Sequence, residues 1–301
     1  MEKYSAILSA VRETVWAILP SKMDAICGFL DLKAGGMMID AATIEKVAAT
    51  NRENSQASMT GSVAVLPVVG VISQRMNLMT DFSGGVSTER LGREFDALVK
   101  NPDIAAIVLD VDSPGGNYAG TPELAAKIHA ARGTKPVIAV ANSMAASAAY
   151  WIAAAADEVV ITPSGEAGSI GVLAVHEDVS AANELLGVKR SYISYGEHKA
   201  EFNPDEPLSD ESRDELQRRV NEAGDTFVRA VAKYRNVTPT AVMTKFGQGR
   251  MYSAEEAVSR GMADRVGTLQ DVIAKLAGNR KPRAGRRASI ERERLALEKI
   301  R

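Results

Sequence analysis

The chain has 301 residues, 46% of them hydrophobic and 25% charged, with a net charge of −2. That is enough apolar material for one or two full cores, and so balanced a charge excludes wholesale attraction to nucleic acid or to an anionic membrane. Cys27 is the only cysteine, so neither an intrachain disulfide nor a cysteine metal cluster can form, and no metal or cofactor is expected.

Residues 4–35 predict two short helices broken at Pro20, with Ile7, Val11, Val15, Ile18 and Leu19 spaced for one apolar face. Cys27, in "DAICGFLDL", reads as a helix-core residue. Arg12 and Glu13 interrupt the apolar stretch, which lacks the basic start and small-residue cleavage site of an export signal. No apolar run approaches the roughly 18 residues of a membrane span. No membrane contact is expected, and the expected location is the cytoplasm. "DAATIEKVAATNREN" predicts a further amphipathic helix, and "ENSQASMTGS" a polar linker that closes an N-terminal segment at about residue 60.

A β-rich region opens with "VAVLPVVGVI" at Val63. "STERLGREFDALVKN" then places Leu91, Phe95, Leu98 and Val99 on one helical face, with Ser87 or Thr88 as N-cap. "IAAIVLDVD" is a short, β-branched apolar run, as in a strand covered on both sides. "GTPELAAKIHAARG" predicts a helix with Thr121 as cap, Pro122 at its first position and Gly133 as stop. "PVIAVA" and "DEVVITP" predict strands around an alanine-rich helix, and "IGVLAV" and "RSYISY" two more strands. A polar helix follows from about Ser209 to Arg235, then one bounded by Ser253 and Gly261. Alternating strands and helices at this spacing predict an α/β fold with a mixed, mainly parallel sheet and crossover helices. From Asn279 onward nine Lys and Arg face three Glu, a local charge of +6. This charged tail reads as an exposed helical end, with an acidic partner or nucleic acid as the other reading.

Three stretches could carry chemistry. In "DVDSPGGNYAG", Pro114, Gly115 and Gly116 turn the chain after a buried strand, and glycines let backbone N–H groups approach a ligand closely. An oxyanion hole and an ordinary positive-φ turn both fit. In "SMAASAAYWIAAAADEVV", Ser147 sits between a strand and a helix among small alanines, which suits a nucleophile and equally a plain N-cap. Ala148 would supply an N–H beside it, and Tyr150, Trp151 and Ile152 would anchor the helix. For a base the candidates are His129, His176 (with Asp178 as a partner), His198 and Lys199. Lowering a lysine pKa from about 10.4 to near 7 costs about 4–5 kcal/mol, which needs burial rather than one neighbour. Spacing alone does not choose among them.

"VLDVDSPGG", "MAASAAYWIA", "GEAGSIGV", "YGEHKAEFNP" and "GRMYSAEEAVSRGMADRVG", in this order over residues 62 to 275, resemble the signal peptide peptidase A family of serine proteases. The resemblance implies a Clp-protease/crotonase-type α/β spiral over residues 61–277, flanked by the N-terminal helical segment 1–60 and the basic tail 278–301. It implies Ser147 as nucleophile, Lys199 as general base, and Ser169 orienting the lysine ammonium. Gly115 or Gly116 together with the N–H of Ala148 would form the oxyanion hole. The family's usual Ser-Gly-Gly is Ser-Ala-Ala here, which raises the question of how alanine tolerates the turn. Family members of this compact kind are rings that share each active site between adjacent subunits, and they accept small or aliphatic side chains before the cut. "VWAILPSKMDAICGFLDLKA" and "GVISQRMNLMTDFSGGVSTERLGREFDAL" resemble phage or prophage members encoded with head genes. That branch implies scaffold, portal or capsid proteins as substrates, inside the host cytoplasm or a procapsid. A signal-peptide-degrading peptidase of the same family, a Ser-His-Asp peptidase, a crotonase-type acyl-CoA enzyme and a non-catalytic assembly protein are the alternatives.

Overall fold

The computed structural model describes residue 11 and residues 14–34, 56–75 and 85–278. The amphipathic helix expected at 40–54 and the tail from Asn279 lie outside the described residues. In chain order the elements are β1 (Trp16–Ile18), α1 (Pro20–Ala34), β2 (Ser58–Thr60), β3 (Val63–Val69), β4 (Val71–Ser73), β5 (Gly85–Ser87), α2 (Thr88–Lys100), β6 (Ala106–Ser113), β7 (Gly115–Asn117), α3 (Thr121–Ala130), β8 (Val137–Ala146) and α4 (Ala148–Ala154). They continue as β9 (Glu158–Ile161), β10 (Glu166–Gly168), α5 (Ser180–Leu185), α6 (Asp210–Tyr234), α7 (Pro239–Lys245), β11 (Met251–Ser253), α8 (Ala254–Arg260), β12 (Arg265–Val266) and α9 (Leu269–Gly278).

The larger sheet runs β11-β10-β8-β6-β3-β2, with β9 joined to β8 and β12 to β9. Its centre is parallel: β3 pairs β6, β6 pairs β8, and β8 pairs both β9 and β10. These strands are almost continuously apolar because helices cover both faces. β8 changes partners along its length, with Ile138–Ala141 against β9 and Met144–Ala146 against β10. The smaller sheet runs β1-β7-β4-β5. The chain passes between the sheets at Pro114, so β6 and β7 belong to different ones. The fold is thus α/β, with mainly parallel strands and crossover helices, as the alternation predicts.

Capping follows the local chemistry. The Ser87 side chain accepts from the Arg90 N–H at 3.2 Å to start α2, and α8 is flanked by Ser253 and by Gly261, whose φ is +82°. At α3 the cap is Gly120, while the Thr121 hydroxyl donates to the Asn117 carbonyl at 2.9 Å.

Besides the cap at Thr121, three expectations fail, all for tertiary reasons. Residues 16–18 form a strand, not a helix, and Pro20 opens α1 instead of breaking one. Proline disfavours helical backbone just before it, and residues 15–19 find partners in β7 and its flanking residues Pro114 and Tyr118. "RSYISY" is not a strand, because no described segment pairs with it; "IGVLAV" contributes a single bridge, Leu173 to Trp16.

The main core lies on one face of the larger sheet around α4, whose seven residues are all fully buried, while Val63, Val65, Val108, Ile138, Val140 and Val160 on the other face form a second cluster with Val272 of α9. Trp151 stacks on Phe227 of α6 at 4.3 Å and 8°, and the Tyr150 hydroxyl donates to the Met262 carbonyl at 3.0 Å. At the far end of α4, Arg132 donates to the carbonyls of Ala154 (3.0 Å), Ala155 (2.9 Å) and Ala156, satisfying the terminal acceptors of this buried helix. A separate apolar cluster joins Val11, Trp16, Ile18, Met23, Leu30 and Val71 beside the smaller sheet.

Candidate active site

Ser147 lies in the sharp turn between β8 and α4, with φ 54° and ψ −118°. Non-glycine residues avoid this region at a cost of about 1–3 kcal/mol. Ser147 N–H donates to the Gly168 carbonyl at 2.8 Å, and its own carbonyl accepts the Trp151 N–H at 2.9 Å, which starts the helix. The hydroxyl donates to the Gly171 carbonyl at 3.3 Å. The positive φ therefore falls on Ser147 itself. Ala148 and Ala149 are ordinary helical residues, so the Ser-Ala-Ala sequence costs the turn nothing.

Gly115 abuts this turn. At φ +94°, a Cβ there would collide with the Ala17 carbonyl oxygen and stand 3.0 Å from both Ser147 Cβ and the Ala146 carbonyl oxygen. At Gly116 a Cβ would collide with the backbone of Ile72 in β4. Both glycines are thus required by backbones that pass too close for a side chain. The Gly115 N–H donates to Ser113 Oγ at 3.2 Å, and that hydroxyl donates to the Gly70 carbonyl at 2.6 Å. Leu19 N–H to Pro114 C=O (3.0 Å) and Tyr118 N–H to Val15 C=O (3.2 Å) set the alternation of the β1–β7 ladder. That alternation makes Ala17 and Gly116 a doubly hydrogen-bonded pair. The N–H of Ala148, at the first position of α4, has no partner within the helix.

Ser169 follows Gly168 at the end of β10. It is buried, has φ 55°, and donates its N–H to the Arg250 carbonyl at 2.8 Å. Its hydroxyl makes no hydrogen bond among the described residues. Gly168 and Gly171, on either side of it, supply the two carbonyls that accept from Ser147. Ser147, Gly115, Gly116, Ala148 and the 168–171 segment therefore converge, although they come from three separate stretches of chain.

Lys199 does not join them through any hydrogen bond. It is exposed, and it lines an open groove of about 1160 Å³ with His176, Tyr192, Tyr195 and Asp205, whose lining includes none of Ser147, Gly115, Ala148 and Ser169. The histidines are also elsewhere. His129 packs on Tyr234 at 4.5 Å, where burial, with help from Arg132 and Lys233, lowers its pKa. His198 Nδ1 meets Glu201 at 2.5 Å, which raises its pKa. His176 Nε2 is buried with no hydrogen-bond partner among the described residues, and Asp178 accepts from the Ser180 N–H at 2.8 Å.

Peptidase family S49 matches residues 129–282. The chain belongs to this family. It is 34% identical over 211 residues to the capsid assembly protease C of Escherichia phage lambda, covering 70% of this chain and 48% of that protein. It is 31% identical over 179 residues to a putative signal peptide peptidase SppA of Enterococcus faecium, covering 59% of this chain and 52% of that protein. The chain therefore spans about half the length of these relatives. Among solved structures it is similar to a mutant of ClpP1 from Listeria monocytogenes, with a TM-score of 0.44 and 13% identity over 77% of this chain and 99% of that one. No described helix is long and apolar enough to cross a membrane.

The sequence reading missed the part of the site that β1 supplies. The signal was present in "VWAILP", an apolar run ending just before proline, but its periodicity fits a helix equally well. Ser113, which takes up the Gly115 N–H, was also missed.

Proposed function

We propose that this S49 family member is a serine endopeptidase in which Ser147 is the nucleophile and Lys199 the general base. The observation that carries the reading is Ser147 itself, held at positive φ between a strand and a buried helix and beside the paired glycines. A side chain is held in such a conformation where its position matters more than local comfort. Ser147 Oγ would attack the peptide carbonyl as its proton passes to Lys199 Nζ. The departing amine would take up that proton, and water would then release the acyl group from Oγ. The N–H groups of Ala148 and of Gly116, which here meets the Ala17 carbonyl, are the donors suited to the developing oxyanion, while the Gly115 N–H serves the Ser113 hydroxyl of its own turn. Ser169 would orient the ammonium.

An exposed Lys199 separated from Ser147 fits a site completed by a second subunit. Ile193 and Tyr195, four to six positions before Lys199, are fully exposed, and Leu185 and Leu186 earlier in the chain are 90% and 77% exposed. Apolar surface of this kind favours burial against another copy of the chain. Docking there would remove water from around Lys199 and carry it to a neighbour's Ser147. The phage relative's name supports capsid-assembly proteins, such as scaffold or portal, as substrates, and the small residues around Ser147 suit small side chains before the cut.

Mixing subunits tests both parts. Ser147→Ala and Lys199→Ala should each abolish peptide hydrolysis, while His176→Ala retains most of it. Co-assembly of the Ser147→Ala and Lys199→Ala chains should restore activity by pairing an intact serine with a neighbour's intact lysine. Retained activity in either single variant sinks the dyad, and failure of the mixture sinks the shared site.

A further inference from the structure

Ser147 has no solvent-exposed surface, so an outside peptide cannot reach its hydroxyl in this conformation. Its hydroxyl meets the Gly171 carbonyl, and beside its turn runs the chain's own β1. A Cβ at Gly115 would collide with the Ala17 carbonyl oxygen and stand 3.0 Å from Ser147 Cβ, which puts that carbonyl beside the nucleophile's turn. Ala17 is itself completely buried.

β1 is held as a bound peptide would be. On one edge it pairs antiparallel with Gly115–Asn117, Ile18 opposite Gly115 and Trp16 opposite Asn117. On the other edge Trp16 donates to Leu173 and accepts from it, both at 2.8 Å. Alternate residues thus bond to alternate walls, the pattern by which an extended peptide adds to a strand edge. Remove β1 and both walls present unpaired N–H and C=O groups along a slot that ends at Ser147. Of the strand's other attachments, Trp16 and Ile18 pack with Met23, Leu30 and Val71 in the small cluster, Trp16 Nε1 donates to the Val11 carbonyl at 2.7 Å, and Ala17 places a single methyl group in the main core. A strand anchored in the main core by one methyl group can open without unfolding the larger sheet.

We propose that residues 15–19 are an intramolecular peptide seated in the substrate slot of Ser147, presenting the Ala17 carbonyl to the nucleophile, and that a peptide in trans enters only when this strand leaves. The inference rests on Ser147 as the nucleophile and names what fills its site. It also assigns the slot's selectivity: an extended segment with a small residue whose carbonyl reaches Gly116, preceded by a large apolar residue where Trp16 sits.

A reversible lock tests this. Trp16 and Asn117 face each other as a non-hydrogen-bonded pair, whose Cα separation of about 4.5 Å suits a disulfide. The Trp16→Cys/Asn117→Cys chain, with Cys27→Ala to prevent mispairing, is compared oxidised and reduced. Oxidation should lower peptide hydrolysis at least tenfold, and reduction should restore it. In the same variant carrying Ser147→Ala, a fluorescent peptide of residues 14–20 should bind the reduced form and not the oxidised one, read by anisotropy. Equal binding in both states, or binding in neither, overturns the proposal. Binding by the reduced form without hydrolysis in the Ser147-containing chain would instead overturn the peptidase reading and leave the slot standing.

Discussion

Gly115 and Ser147 are packed so closely that a Cβ on the first would stand 3.0 Å from the Cβ of the second. The contact joins the turn that leaves the larger sheet to the turn that begins α4, so the glycine pair and the serine are positioned as one unit.

Gly115→Ala should therefore cost far more than its backbone preference. The residue has φ +94° and its added carbon would strike Ala17 and crowd Ala146. Gly133→Ala is the control, because φ is +81° there and nothing lies within 4 Å. Gly133→Ala should lose about 1 kcal/mol, the cost of positive φ alone. Gly115→Ala should lose at least twice that in denaturant unfolding and at least 100-fold in peptide hydrolysis.

Arg132→Met should destabilise the chain by about 3 kcal/mol, since it strands buried carbonyls that now accept from a cation. Arg132 also donates to the Tyr234 carbonyl at 3.2 Å, tying α4 to the end of α6. Lysine, lacking the planar fork, should recover less than half of the loss in thermal unfolding.

His129 gives a pH test. Burial lowers its folded-state pKa below the ordinary 6.5, so between those two values the unfolded chain binds the proton more readily. This contribution to stability is complete above pH 6.5 and is lost as pH falls towards the folded pKa. The wild type should lose more stability than His129→Gln between pH 7.5 and 5.5, measured by urea unfolding. Parallel curves would refute the assignment.

Asp264 should behave oppositely to a free surface carboxylate. Burial works against its ionisation, but Arg235 binds it through two nitrogens at 2.7 and 2.9 Å and the Val159 N–H at 2.7 Å, so its pKa is lowered. Its contribution is present above the unfolded value of about 3.9 and is lost as pH falls through the lower folded value. Asp264→Asn should cost about 1 kcal/mol at pH 7, allowing for solvent at the partly exposed carboxylate. The difference should vanish in thermal scans at the acid end.

Much of the fold was legible in local patterns. β-branched runs such as "IAAIVLDVD" could only be covered strands, and Ser87, Ser253 and Gly261 marked helix ends because capping depends on neighbours in sequence. Ser147 and the Gly115–Gly116 pair were legible as candidates for the same reason: a small residue between strand and helix, and glycines after a buried strand, are local signals. Their meeting was not. Contact between residues 115, 147 and 168–171 depends on which strands pair, and β8 exchanging β9 for β10 along its length is written in no single stretch.

The sequence by itself determined the alternation of strands and helices, the buried helix behind Ser147 and the small residues around it, since each follows from side-chain size and periodicity. Tertiary structure alone decided that "VWAIL" is a strand: its apolar pattern suits either conformation, and only the unpaired edges of β7 and Leu173 select one. It also decided that Lys199 stands in solvent within a single chain, because burial is a property of what packs against a residue and not of the residue itself.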